Sequence, residues 1–181
     1  MDKDNTPAGY SIPFILVHWV TAIVVLGLFV LGLWMVDLGY YDPWYNRAPN
    51  IHRSIGVLIT LVVVARMIWR KLSTMPESPK NHKPWERTAA RLTHALLYLL
   101  LLLMGFSGYF ISSAKGQAVD VFNWFSIPAI TSSIENLEDA SGLIHEIAAY
   151  VLITLTIVHA SAAIKHHFVE RDNTLKRMLG M

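Results

Sequence analysis

Residues 142–168 read GLIHEIAAYVLITLTIVHASAAIKHHF, an apolar stretch long enough to cross a bilayer, with a histidine toward each end. His145 and His159 are fourteen residues apart. In a helix this spacing separates them by about 21 Å along the axis and returns the second to within about 40° of the first. The stretch therefore predicts a membrane helix that presents two histidines on one face, at two depths.

Three more apolar blocks accompany this one. The 181 residues are 54% hydrophobic and 15% charged, whereas an ordinary soluble domain has about a quarter charged residues. The blocks lie at about 12–36, 51–70, 92–112 and 143–164, and each is near the ~20 residues that cross a bilayer. The first is too long for the apolar core of a cleaved secretory signal, so we expect it to be retained. The sequence thus predicts one all-α integral membrane domain, 1–181, with four transmembrane helices in a bundle.

The positions of lysine and arginine predict the orientation of this bundle. Such residues in short loops remain on the cytoplasmic side. Seven fall in and around the second connection and four in the C-terminal tail, whereas the first and third connections hold only Arg47, Arg53 and Lys115. We therefore expect both termini in the cytoplasm. Topology and anionic lipid account for the basic segments, and no nucleic-acid partner is needed.

The predicted directions of the helices pair the histidines by depth. His159 and His18 both lie about 8 to 9 Å inside the cytoplasmic face, and His145 and His52 lie near the periplasmic ends of their spans. His94 is an alternative to His18, because the third helix also starts on the cytoplasmic side. Its depth of about 3 Å matches His159 less well. A His94 that is not a ligand could instead contact a haem propionate or a quinone head.

Paired imidazoles in a chain without cysteine favour haem over other redox groups. The absence of cysteine excludes disulfides, iron–sulfur clusters, thiolate metal sites and covalently attached c-type haem. Sites for a bare metal ion usually recruit carboxylates or a third histidine, and within the spans the only acidic residue is Glu146 at the rim. Two opposed imidazoles fill both axial positions of a haem iron, which favours outer-sphere electron transfer. We therefore predict two b-type haems, one near each membrane face.

The motifs around these histidines resemble the bacterial cytochrome b561 family, which is related to the cytochrome b subunit of nickel–iron hydrogenases. They run through nearly the whole chain: LVHW, NIHRSIG, LTHALLY, GLIHE, VHASAAIKHHF and RDNTLKRM. The resemblance implies axial haem ligation by four histidines, namely His18, His52, His145 and His159. It also implies a location in the bacterial inner membrane and electron exchange with ubiquinone, and one branch of the family oxidises superoxide at the periplasmic face.

Several residues near the membrane surfaces each allow two interpretations. Arg47, Arg53 and Lys115 could steer an anion such as superoxide, or pair with haem propionates or lipid phosphate. His166 and His167 could line a quinone pocket or simply end a solvated helix. For the whole protein three classes remain open: an oxidoreductase of the superoxide:ubiquinone type, a haem-bearing anchor or relay subunit for a periplasmic redox protein or dehydrogenase, and a membrane protein without redox chemistry.

Overall fold

The computed structural model describes residues 9–76, 82–130 and 134–181. The predicted cytoplasmic position of the extreme N-terminus concerns residues 1–8, which lie outside these ranges, as do 77–81 of the second connection. The described part contains five helices and one β-hairpin: α1 Ile12–Met35, α2 Arg47–Leu72, α3 Pro84–Ser113, β1 Val119–Val121, β2 Phe125–Ile127, α4 Leu137–Phe168 and α5 Thr174–Met178.

The four long helices match the four predicted spans in number and order. Each contains an apolar stretch suited to crossing a membrane, with mean hydropathy between 1.8 and 2.6. No more than 17% of any of these stretches is buried inside the protein, so most apolar side chains face outward. Water would make such a surface very unfavourable, whereas lipid solvates it. The helices therefore form a membrane bundle, as the sequence predicts.

Helices pack in sequence order around the bundle: α1 against α2, α2 against α3, and α3 most extensively against α4. The approach of α3 to α2 depends on Gly105. A Cβ at this position would lie 2.5 Å from Thr60 Oγ1 and 2.6 Å from Thr60 Cγ2, closer than nonbonded atoms can approach. Glycine therefore sets the spacing of these two helices, which agrees with the expectation that small residues allow close approach.

The β-hairpin closes one end of the bundle, which we call the hairpin side. Val119 and Val121 are fully buried, and the Phe122 backbone N–H donates to Ser54 Oγ of α2 at 3.2 Å. Phe122 and Asn123 both have positive φ in a turn closed by Trp124 N–H donating to the Val121 carbonyl at 2.8 Å, as in a type I′ turn. The hairpin therefore packs over this end of the bundle, and its two strands were not predicted from the sequence.

The opposite end, where α1 begins and α4 ends, is the terminal side. Pro84 occupies the first turn of α3, and Glu86 Oε2 accepts from the Lys83 backbone N–H at 2.8 Å, which caps the helix. Trp19 Nε1 donates to the Met178 carbonyl at 2.7 Å. This bond ties the C-terminal segment to α1, so that α5 lies across the start of the bundle.

Candidate functional site

The four helices bring His52 and His145 together near the hairpin side. Their ring centroids are 6.2 Å apart, although the residues belong to α2 and α4. A glycine backs each ring: a Cβ at Gly32 would lie 3.3 Å from His52 Cε1, and one at Gly108 would lie 3.4 Å from His145 Cε1. Larger residues at these positions would push the imidazoles from their places.

The His145 ring is also oriented by a hydrogen bond. Ser107 of α3 is buried, and its Oγ lies 2.9 Å from His145 Nδ1. Ser107 Oγ lies 2.6 Å from the Leu103 carbonyl, to which its hydroxyl donates. It is therefore available to accept from Nδ1–H, which leaves the Nε2 lone pair free to bind a metal. The sequence analysis did not identify Ser107, since a serine in an apolar span usually bonds its own helix backbone.

A cavity of about 350 Å³ adjoins this pair. Residues from all four helices and from β1 line it, and most of them are apolar; the polar exceptions are His52, Arg53, Thr60, Tyr109, Ser112 and His145. Cofactor sites are typically of this kind, with an apolar wall and a few polar groups that fix orientation. Within the described residues, His52 Nδ1 and Arg53 Nε are buried without a hydrogen-bond partner.

Three histidines from α1, α3 and α4 meet nearer the terminal side. The ring centroids of His18 and His159 are 6.5 Å apart, and those of His94 and His159 are 5.1 Å apart. All three side chains are half-buried. The structure therefore brings both sequence candidates for the partner of His159 to the same place.

The ring separations can be compared with those that a haem iron requires. With metal–nitrogen bonds of about 2 Å on both sides, and each ring centre about 1 Å behind its nitrogen, opposed imidazole centroids lie roughly 6 Å apart. The separations of 6.2 Å for His52–His145 and 6.5 Å for His18–His159 fit this value. The 5.1 Å between His94 and His159 is too short for opposed ligands. Two of the three histidine pairs therefore have the centroid separation that axial haem ligands require.

Arg66 of α2 reaches the terminal-side histidines. Its Nη2 donates to His18 Nδ1 at 3.0 Å, and its guanidinium carbon lies 5.1 Å from the centre of the Phe14 ring. An imidazole that accepts at Nδ1 carries its proton on Nε2, so ligation through Nε2 would require Arg66 to turn away. Arg66 was not predicted from the sequence to be part of this site. A cation interrupting an apolar span was the available signal for a functional role.

The residues near the membrane surfaces occupy different surroundings. Arg53 lines the cavity, and Arg47 is exposed at the start of α2. Lys115 is exposed and pairs with Glu138 at 2.9 Å, and hydrogen bonding to this carboxylate raises the pKa of Lys115. The ion pair offsets the positive charge on which anion steering by Lys115 would depend.

The two adjacent histidines at the end of α4, His166 and His167, differ in their surroundings. His166 Nδ1 lies 2.6 Å from Glu170 Oε2 and 2.9 Å from Asp172 Oδ2. His167 Nδ1 is buried without a hydrogen-bond partner among the residues that the structure describes. The quinone contact predicted for both remains a prediction, and His166 is already engaged by carboxylates.

Comparisons with known proteins agree with this architecture. A family model described as prokaryotic cytochrome b561 matches residues 9–181. Cytochrome b561 homolog 2 of Escherichia coli K12 is 45% identical over 99% of this chain and 96% of its own length. A probable superoxide oxidase, CybB, of Yersinia pestis is 30% identical over 94% of the chain and 95% of its own length. Cytochrome b561 homolog 1 of E. coli K12 is 26% identical over 91% and 93%.

Proposed function

Because the chain belongs to the prokaryotic cytochrome b561 family, a family of membrane haem proteins that transfer electrons, we propose that it holds two b-type haems and passes electrons from a periplasmic donor to ubiquinone. The observation that carries this proposal is a pair of imidazoles from different helices at each of two levels, with centroid separations of 6.2 and 6.5 Å. A haem with both axial positions filled by imidazole exchanges single electrons and has no open site for dioxygen.

We assign His52 and His145 to the haem on the hairpin side, and His18 and His159 to the haem on the terminal side. For the first pair, the adjoining cavity and the Ser107 contact support the assignment. For the second, the ring separation favours His18 over His94. Arg53, whose Nε is buried beside His52, is suited to pair with a haem propionate.

The terminal side faces the cytoplasm in this proposal. Lysine and arginine are concentrated in the second connection and the C-terminal tail, and positive residues in short loops stay on that side. The hairpin side then faces the periplasm, where an external donor would meet the His52–His145 pair first. Electrons would cross the bundle toward the terminal side, in a protein of the bacterial inner membrane.

For the donor we propose superoxide, since a relative described as a probable superoxide oxidase shares 30% of its residues with this chain over nearly its whole length. Oxidation of two superoxide anions yields two dioxygen molecules and two electrons. With two protons, these electrons reduce ubiquinone to ubiquinol, so charge and atoms balance. Arg47 is exposed at the start of α2 and has no ion pair among the residues that the structure describes, so its positive charge would attract the anion.

A spectrum with haem quantification tests the ligand assignment. We expect the purified protein to contain about two b-type haems per chain with little carbon monoxide binding, as six-coordinate iron requires. His52→Ala or His145→Ala should each remove one haem, His18→Ala or His159→Ala should remove the other, and His94→Ala should retain both. Loss of a haem in His94→Ala, with retention in His18→Ala, would reverse the choice between these two residues.

A second measurement tests the reaction. Purified protein should consume superoxide faster than spontaneous dismutation only when oxidised ubiquinone is supplied, with one ubiquinol formed for every two superoxide anions. Inertness toward superoxide, together with co-purification of a periplasmic redox protein or dehydrogenase, would instead favour the relay-subunit function.

Because the chain contains no cysteine, single introduced cysteines can test the orientation of the protein in the membrane. Glu135→Cys on the hairpin side and Met181→Cys on the terminal side both replace exposed residues. In intact spheroplasts, a membrane-impermeant thiol reagent should label the first variant and not the second. The reverse labelling pattern would overturn the proposed topology.

A further inference from the structure

A second cluster of metal-ligating side chains lies on the terminal side, apart from the haem histidines. It joins three segments: His82 precedes α3, His166 lies in the last turn of α4, and Asp172 lies between α4 and α5. Asp172 Oδ2 is 2.8 Å from His82 Nε2 and 2.9 Å from His166 Nδ1. The two imidazole rings face each other with centroids 4.5 Å apart. Two ring nitrogens thus converge on one carboxylate oxygen.

The cluster is shielded and its carboxylate is held in place. The side chains of His82, His166 and Asp172 are only 9%, 13% and 5% exposed. Asp172 Oδ1 accepts from the Thr174 backbone N–H at 2.7 Å, which directs Oδ2 toward the histidines. Glu170 Oε2 lies 2.6 Å from the same His166 nitrogen. Two imidazole nitrogens and two carboxylate oxygens therefore lie close together at the position where a metal ion would bind.

Hydrogen bonding alone does not balance this group. His166 Nδ1 faces two carboxylate oxygens but carries at most one proton. It therefore cannot donate a full hydrogen bond to both oxygens. A divalent cation at this point would be a shared partner for the lone pairs of the ring nitrogens and the carboxylate oxygens.

We propose that His82, His166 and Asp172 bind a divalent transition-metal ion of the Zn²⁺ type, with Glu170 or water as a fourth ligand. Imidazole nitrogen and carboxylate oxygen are common Zn²⁺ ligands, with bonds of about 2.0 to 2.2 Å. Tetrahedral ligands at that distance are roughly 3.3 Å from one another, so each imidazole nitrogen needs to move only about half an ångström away from Asp172 Oδ2. The ion would connect the second connection to the C-terminal segment, and this linkage is independent of haem chemistry.

Zinc binding by the haem-loaded protein tests the proposal. Protein purified in detergent, without a polyhistidine tag, is titrated with Zn²⁺ against a chromophoric chelator. We expect one site per chain and a loss of affinity of at least about tenfold in His82→Ala and Asp172→Asn. His167→Ala is the matched control, because it removes a neighbouring histidine that is outside the cluster, and it should bind as the original chain does.

The zinc K-edge spectrum supplies a readout that does not depend on a variant, and haem iron does not contribute to it. We expect imidazole and oxygen ligands in the first coordination shell. Haem content and the elution profile in size-exclusion chromatography show whether each variant is folded. If Asp172→Asn does not fold, the zinc affinity of His82→Ala, whose substitution lies in the connecting segment, tests the proposal. Absence of micromolar zinc binding, equal binding in His82→Ala and the control, or a spectrum without imidazole would overturn the proposal, while leaving the haem assignment unaffected.

Discussion

Under the proposed ligation of a haem by His145, Ser107→Ala should raise the reduction potential of that haem and leave the second proposed haem nearly unchanged. The Ser107 hydroxyl oxygen lies 2.9 Å from His145 Nδ1 and can accept a hydrogen bond from the N–H group of that nitrogen. Such a bond makes a ligating imidazole more electron-donating, which stabilises the oxidised iron more than the reduced iron. Removing the acceptor weakens this preference, so the potential of the haem held by His145 should increase.

The size of the shift follows from the strength of one hydrogen bond. Only the difference in the strength of this bond between oxidised and reduced iron shifts the potential. A net bond of about 0.5 to 1.5 kcal/mol therefore sets an upper limit of roughly 20 to 65 mV for a one-electron couple, at 59 mV per tenfold change.

Spectroelectrochemical titration of the two haems measures the shift. Ser113→Ala is the matched control, because Ser113 is also buried on α3 and its hydroxyl donates to the Tyr109 carbonyl at 2.8 Å. We expect this control to leave both potentials in place. A downward shift, an equal shift of both haems, or the same shift in Ser113→Ala would refute the reasoning about His145.

Three further substitutions test the packing and the charge around the site. Gly108→Val should reduce the haem content from about two per chain toward one, because even a Cβ there lies 3.4 Å from His145 Cε1 and valine adds more bulk. Gly105→Ala should destabilise the bundle by about 1 to 3 kcal/mol in thermal unfolding, since its Cβ would lie 2.5 Å from Thr60 Oγ1. Lys115→Ala should leave the rate of superoxide oxidation within a factor of about two, because an exposed ion pair already offsets its charge.

Each of these three has its own control. Gly142→Ala on α4 adds a Cβ with no atom within 4 Å and should retain both haems, which separates steric conflict from a general effect of losing glycine. Thr60→Ala should partly restore the stability of Gly105→Ala by removing the opposing atoms. Arg47→Ala should slow superoxide oxidation more than Lys115→Ala does, and the opposite order would contradict the distinction between the two cations.

The sequence alone determined the number of spans and the depth of the histidines. Length and hydropathy suffice for the spans, because a membrane segment must be apolar over about 20 residues and satisfy its backbone hydrogen bonds internally. Fourteen-residue spacing placed His145 and His159 on one face because helix periodicity is local. The His52–His145 pairing also followed, since adjacent membrane helices must alternate in direction.

Other features depended on how the helices pack. The sequence favoured His18 over His94 by depth alone, and the ring separations of 6.5 and 5.1 Å from His159 add a second, independent reason. Ser107 and Arg66 acquire their histidine contacts across helices, and His82 meets His166 and Asp172 across about ninety residues of chain. Helix periodicity specifies which residues share a face, but the rotation and separation of neighbouring helices arise from side-chain packing between distant segments, and for that reason only the tertiary structure decided these contacts.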